Sequence, residues 1–293
     1  MCRALSRSQL QKVVSAITKW YPTELADSAW DNVGLLIDCS ITSEQSTSTI
    51  VPKVLLTVDL TQDVAQEAVD KECNVIIAYH PFIFPSFKNI APTKNPQHRS
   101  LLKLIQNNIS VYSPHTAVDA ARGGVNDWLV DGLIQFKYEL IAKTVAIERT
   151  NAYPSEEDIG YGRLLSLTGD GIKLSDIVSS IKQNLHIPHL QISSDYQTNK
   201  DKMIKTVALC AGSGSGVFKA LSQDQQDEVD LYYTGELSHH EVLRLKELGK
   251  TVITCNHSNT ERGYLAAVMQ KKLSDQGLSV SVSSYDHDPL YVV

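Results

Sequence analysis

Apolar positions in this 293-residue chain fall into two strand–helix alternations separated by a polar stretch. Leu10, Val13, Val14 and Ile17 recur at helical spacing and predict a first helix over 8–20, stopped by Tyr21-Pro22. A short strand over 33–38 follows. The run 53–59 (KVLLTVD) predicts a strand, and Thr61 caps a helix with Val64, Ala65, Ala68 and Val69 on its apolar face. A strand over 74–80 (NVIIAYH) leads into a loop marked by Pro81, Pro85, Pro92 and Pro96. A helix around 101–106 ends at Asn107-Asn108, and 109–115 (ISVYSPH) is the next strand. Strands that are apolar throughout, in β-α-β order, imply a parallel sheet covered on both faces. Right-handed crossovers then place all the strand carboxyl ends on one edge.

Beyond Gly123-Gly124, Val125, Trp128, Leu129 and Leu133 predict a further helix, and the polar stretch 148–161 (ERTNAYPSEEDIGY) reads as a loop or exposed insertion. A strand over 163–168, a helix over 174–185 and strands over 189–193 and 205–211 follow, the last two flanking a polar turn at 195–202. The second alternation comprises strands over 206–211, 229–234 and 251–257, with helices opened by Gly212–Gly216, over 238–248 and over 260–273. Gly277 leads into a last alternating strand over 278–284. The expectation is an α/β protein of two lobes with mainly parallel central strands and a metal-binding cleft between them. Residues 1–130 plus 255–293 would form the first lobe and 131–254 an inserted second lobe. No residue-level repeat is evident.

Composition narrows the class. Apolar content of 42%, charged content of 20%, a net charge of −6 and a pI near 5.8 describe an ordinary soluble globular protein. No basic stripe marks direct nucleic-acid or anionic-membrane binding, and no apolar run approaches the length of a membrane-spanning helix. Five cysteines, Cys2, Cys39, Cys73, Cys210 and Cys255, form no C-x-x-C pair and fit a reducing compartment, so a cytoplasmic location is expected. Arg3, Arg7, Lys12 and Lys19 precede the first acid, Glu24, and weakly resemble a mitochondrial presequence; a first core helix explains the same segment better.

Three apolar runs end on histidine: His80, His115 and His257. Two have a carboxylate four residues on, Asp119 after His115 and Glu261 after His257. Imidazoles and carboxylates gathered at strand carboxyl ends, where open α/β sheets bind ligands, suit Zn, Mn or Fe. Each residue also has a plainer reading. His80, held extended by Pro81, would equally serve as a strand-end histidine bonded to a loop. Asp119 is either a hard anionic ligand or a helix cap, and His115 either a ligand or a donor behind one. Glu261, in the first turn of a helix, is stabilised by the dipole whether or not it meets a cation. His239 and His240 point about 100° apart on a helix, so at most one lines a cleft. Gly212, Gly214 and Gly216 stand between strand and helix, where backbone N–H groups favour an anion. The run lacks the Walker lysine and the dinucleotide spacing, and a tight turn accounts for it equally well. The Asp31-Asn32-Val33-Gly34 turn supplies either cleft polar groups or only backbone partners. A nucleophile elbow, an H-E-x-x-H helix and a cysteine zinc finger are absent from the sequence.

Seven segments together resemble the Nif-three-like family, also labelled GTP cyclohydrolase type 2 homologues. They are WDNVGLLID at 30–38, LTVDLT at 56–61, IIAYHPFIF at 76–84, HTAVDAARGGVNDWL at 115–129, AGSGSG at 211–216, YTGELSHHEVL at 233–243 and NHSNTERGYL at 256–265. They span nearly the whole chain in the family's order, and the chain looks like a fungal member. The resemblance implies a two-lobed α/β protein, often a ring-shaped homohexamer, with two metal ions. One ion would take His80, Asp119 and Glu261; the other would take His257, Glu261 and the residue before His80. That residue is Tyr79 here, where bacterial members commonly carry histidine. A neutral phenol is a poorer ligand than imidazole, which leaves the second site weak, differently occupied or vacant. His115 matches a histidine close to the metals.

The expected function is that of a metal-dependent, hydrolase-like protein using one or two divalent ions. His115, His239 or His240 would move protons, and a nucleotide or phosphoester is the expected substrate, with the glycine run near a phosphate. The alternatives are a non-enzymatic factor that binds a transcriptional coregulator, after which the family is named, and a metal carrier.

Overall fold

The structure is a computed structural model that describes residues 4–42, 51–84, 87–290 and 292–293; Cys2, Arg3 and Pro85 lie outside them. The chain is α/β and divides into two compact units. One comprises Met1–Val118 and Leu265–His287, the other Asp119–Tyr264 and Asp288–Val293.

The first unit is built on a five-stranded sheet in the order Gly34–Ile37, Ser110–Ser113, Val75–Ala78, Lys53–Thr57, Ser279–Val282. Every pairing is parallel except that of the Gly34–Ile37 edge strand. The central strand, Val75–Ala78, and its neighbour Ser110–Ser113 are buried at every position, as β-α-β crossovers over both faces demand. Helix Gln62–Asp70, capped by Thr61, lays Val64, Ala65 and Ala68 against Leu55 and Ile76, alongside Leu101 and Leu104 of helix Pro96–Gln106. Helix Arg7–Thr18 starts at a capping box between Ser6 and Gln9 and buries Leu10, Val13 and Ile17. Regular pairing stops at Ala78, yet Tyr79 N–H and His80 N–H still donate to Thr57 and Val58 carbonyls. His80 is therefore delivered by the strand itself, with Pro81 closing the run.

The second unit holds a six-stranded sheet in the order Gln191–Ser193, Thr251–Thr254, Leu231–Glu236, Thr206–Ser213, Arg163–Leu167, Ile141–Val145. Its three consecutive inner strands, Thr251–Thr254, Leu231–Glu236 and Thr206–Ser213, are parallel, and the remaining pairings are antiparallel. Arg163, the first residue of the strand beside this sheet's Ile141–Val145 edge, is 0% exposed. Its guanidinium bonds Asp127 Oδ1 at 2.5 Å and the Gly160 and Gly162 carbonyls at 2.7 and 2.8 Å.

Helices Val125–Ile134 and Asn259–Tyr264 pack on helix Leu174–Leu185 and on strand Thr206–Ser213, so residues 119–130 and 255–264 go with the second unit, where the sequence pattern had placed them in the first. The chain passes between units inside helix Thr116–Ala120, again at Tyr264/Leu265, where an α-turn becomes a π-turn, and a third time between His287 and Asp288. That second helix, continuous over 260–273 by periodicity, has three parts: Asn259–Tyr264, the π-helical Leu265–Met269 and Gln270–Ser274. The 148–161 stretch carries a small hairpin, Glu148–Arg149 against Gly160–Tyr161. The glycine run opens only a 3-10 turn, Val217–Ala220; the α-helix waits for Gln223, after the Ser222–Gln225 capping box. No helix among the described residues is long and apolar enough to cross a membrane.

Candidate metal centre

In the first unit, strand ends gather His80, Tyr79 and His115. His80 Nδ1 lies 2.9 Å from Asp59 Oδ1. An ionised carboxylate only accepts, so the ring's Nδ1 carries the proton and Nε2 presents a lone pair. This carboxylate–imidazole pairing is how metal-binding histidines are oriented and made more basic. His115 repeats it: Nδ1 donates to Asp31 Oδ1 at 2.7 Å. Burial raises the Asp31 carboxyl, but the His115 bond and charge, together with Thr116 and the Asn32 N–H, outweigh it and hold Asp31 below its ordinary value. His115 has φ +30°, a left-handed backbone that bulky residues rarely adopt. It turns the chain from strand into helix Thr116–Ala120. The His80 and His115 rings lie edge to face, centroids 5.5 Å apart, and the buried Tyr79 ring meets both, at 5.4 and 5.9 Å.

In the second unit, His257 leaves strand Thr251–Thr254 through Asn256, whose φ of +66° makes the sharp turn. His257 Nδ1 lies 2.9 Å from Glu236 Oε1, the same pairing a third time. Its Nε2 stands 3.4 Å from Oε1 of the buried Glu261. Two ligand atoms about 2.1 Å from one tetrahedral ion stand about 3.4 Å apart, so this pair has the span of adjacent metal ligands. Thr260 fixes the turn, donating to His257 O at 2.7 Å while accepting from Gly212 N–H at 2.8 Å. Asp119 is tied into the same unit by Asn126. The Asn126 amide donates to the Asp119 carbonyl, and its oxygen accepts from Ala211 N–H, each at 2.9 Å. Burial first, then the charges of the Asp119 and Glu261 carboxylates, push the Cys210 thiol well up.

The glycine run serves these ligands. A Cβ on Gly212, which has φ +60°, would stand 2.7 Å from Glu261 Oε1 and 2.8 Å from His257 Nε2. On Gly214 it would strike the Phe218 ring, and on Gly216 it would meet nothing within 4 Å. With only a 3-10 turn after it, the run forms no helix N-terminus for an anion. His239 and His240 sit exposed on the first turn of helix His239–Glu247, their rings edge to face with each other at 5.4 Å. The carboxylates that hold the imidazoles, Asp59, Asp31 and Glu236, were the residues hardest to assign from sequence. Asp59 and Glu236 each stand at or just past a strand end, the one positional signal they share with the histidines.

The model of the DUF34/NIF3 (NGG1p interacting factor 3) family matches residues 8–289. NGG1-interacting factor 3 of Saccharomyces cerevisiae is 57% identical over 296 residues, covering all of both chains. The protein NIF3 homolog of Schizosaccharomyces pombe is 43% identical, covering 99% of both. A crystal structure of a Bacillus cereus protein related to NIF3 shares the fold, with a TM-score of 0.75 at 21% identity over 97% of this chain and 98% of that one. By sequence over its whole length, this chain belongs to the DUF34/NIF3 family.

Proposed function

We propose that the chain is a metal-dependent, hydrolase-like enzyme in which His80, His257 and Glu261 each offer one ligand atom to a divalent ion, with Asp119 a further anionic ligand. The observation that carries this reading is the triple carboxylate–imidazole pairing, Asp59–His80, Asp31–His115 and Glu236–His257. Three histidines held in one tautomer by acids is costly ornament in a mere scaffold and normal in a metal site. Nitrogen and oxygen donors without thiolate favour Zn, Mn or Fe. Such an ion supplies Lewis acidity at a phosphoryl or carbonyl oxygen and brings the pKa of water toward neutrality. Tyr79, a phenol at the position where a second ion would seek a ligand, favours one ion over two. His115, oriented by Asp31, takes up or returns the proton. A nucleotide or other phosphoester is the substrate class.

Metal analysis by mass spectrometry of protein purified without a histidine tag tests the first half of this reading. Turnover of GTP, other nucleotides and phosphodiesters with added Mn or Zn tests the second. Metal near one equivalent, lost in folded His80→Ala and Glu261→Ala variants together with turnover, is the expected result. Folded metal-free variants with undiminished cellular function would overturn it. They would favour the second reading, a protein-interaction factor, which the name of the S. cerevisiae relative, NGG1-interacting factor 3, supports.

A further inference from the structure

The carboxyl-terminal segment after strand Ser279–Val282 is mostly exposed, but its two acids turn inward. Ser283 N–H still donates to Leu56 O at 2.8 Å, and then the pairing ends. Glu67 anchors the departing chain by accepting from the Ser283 hydroxyl, from Ser284 N–H at 3.0 Å and from Ser284 Oγ at 2.8 Å. Ser284, Tyr285 and His287 face solvent, whereas Asp286 is 9% exposed. In the first unit its carboxylate accepts from the buried Val58 N–H at 2.6 Å and lies 3.5 Å from Asp59 N. Val58 O accepts from His80 N–H, and Asp59 holds the His80 ring. Two residues on, in the second unit, Asp288 accepts from Ser258 Oγ at 2.7 Å and lies 3.4 Å from Asn256 Nδ2. Ser258 also accepts from Arg262 at 2.9 Å. Asn256 and Ser258 are the residues on either side of His257.

We infer that Asp286 and Asp288 are positioning residues for metal binding. One short tail braces the Val58–Asp59 backbone under His80 and the Asn256–Ser258 turn that carries His257. The inference rests on the metal reading of these histidines. Each acid acts through backbone and side-chain hydrogen bonds on a group that orients a ligand. Loss of a partner bonded directly to a ligand typically weakens metal affinity about 10–100-fold, and these acids, one bond further out, belong at the low end of that range.

The test is Zn2+ affinity of the full-length chain by competition with a chromophoric chelator, with the Co2+ visible spectrum as a readout of ligand geometry. Asp286→Ala and Asp288→Ala should each weaken Zn2+ binding about tenfold or more and alter the Co2+ bands. Asp286→Asn keeps an oxygen acceptor for Val58 N–H and should lie between Asp286→Ala and the wild type, which preserves the test if the alanine variant folds poorly. Val13→Ala, in the Arg7–Thr18 helix, is the control for general destabilisation; it should lower the melting temperature and leave affinity and spectrum unchanged. Tail variants that bind as the wild type does, or lose no more than the Val13 control, overturn the inference while the metal reading stands. A wild type that takes up neither Zn2+ nor Co2+ overturns both.

Discussion

The Asp31 carboxylate, wholly shielded from solvent, accepts a hydrogen bond from His115 Nδ1–H at 2.7 Å. The same carboxylate also accepts from the Thr116 hydroxyl and lies 3.3 Å from Thr116 N. Asp31→Asn replaces an obligate acceptor with an amide that can offer its NH2 to the ring, permitting the other tautomer. Turnover of any phosphoester hydrolysed by the wild type should fall about 100-fold, in the range of a lost general acid–base contribution, with bound metal unchanged. Steady-state kinetics beside metal analysis checks this; equal loss of metal and turnover would instead make His115 a ligand.

Gly212 and Gly216 should behave oppositely. Alanine at 212 forces a methyl group to within 2.7 Å of Glu261 Oε1 and into a left-handed backbone, a strain of about 1–3 kcal/mol. Metal uptake should be lost or severely weakened. Alanine at 216 meets nothing within 4 Å and should leave melting temperature and metal content unchanged. A site that used the run's backbone to hold phosphate would show sensitivity at both positions, measurable as nucleotide affinity.

Much of this was legible in the chain. Period-2 and period-3.6 patterns locate the inner strands and the longer helices because those strands are apolar on both faces and those helices amphipathic; the edge strand Ile141–Val145 and the hairpin Glu148–Arg149/Gly160–Tyr161, short and, Gly160 apart, not fully buried, carry no such pattern. The three strand-end histidines declare themselves by position. Less legible was what depends on partners distant in sequence. That Asp31 serves His115, 84 residues away, follows from sheet order and not from spacing. The glycine run looks like a phosphate loop because both needs, close backbone approach and tight turning, select glycine; only the Cβ contacts at Gly212 distinguish them. The break in the helix over 260–273 escapes periodicity because a π-turn keeps Leu265, Met269 and Leu273 buried. The 119–130 and 255–264 segments were assignable to a unit only through their packing on Leu174–Leu185.

Glu67 gives the fold a particular acid dependence. Burial raises its carboxyl, but bonds from Lys71, Ser283 and Ser284 prevail and bring it down to about 2 from an ordinary 4.5. A folded-state value below the unfolded one means stabilisation that is complete above about pH 4.5 and disappears as pH falls toward 2. Glu67→Gln should cost on the order of 2 kcal/mol at neutral pH, and the gap between variant and wild type should close in acid. Urea unfolding at pH 7, 4 and 2.5 would show a constant gap if the carboxylate charge were irrelevant.

Arg163 is wholly buried with Asp127 as its ionic partner. Arg163→Ala removes the partner of Asp127 and the contacts to the Gly160, Gly162 and Ala121 carbonyls at once, and should destabilise the chain by about 3–5 kcal/mol. Arg163→Lys should rescue little, since one ammonium cannot reproduce the planar fork. Denaturant midpoints decide; near-wild-type stability of the lysine variant would show that charge, not geometry, is what this position needs.

Because the chain crosses from one unit to the other within helix Thr116–Ala120, where Tyr264 meets the π-turn and again between His287 and Asp288, neither half is a single run of chain. Excising residues 119–264 would cut through helical backbone at both ends. Inheritance by shuffling one half between lineages would therefore begin with two broken helices, and the halves are expected to have diverged together as a single heritable piece.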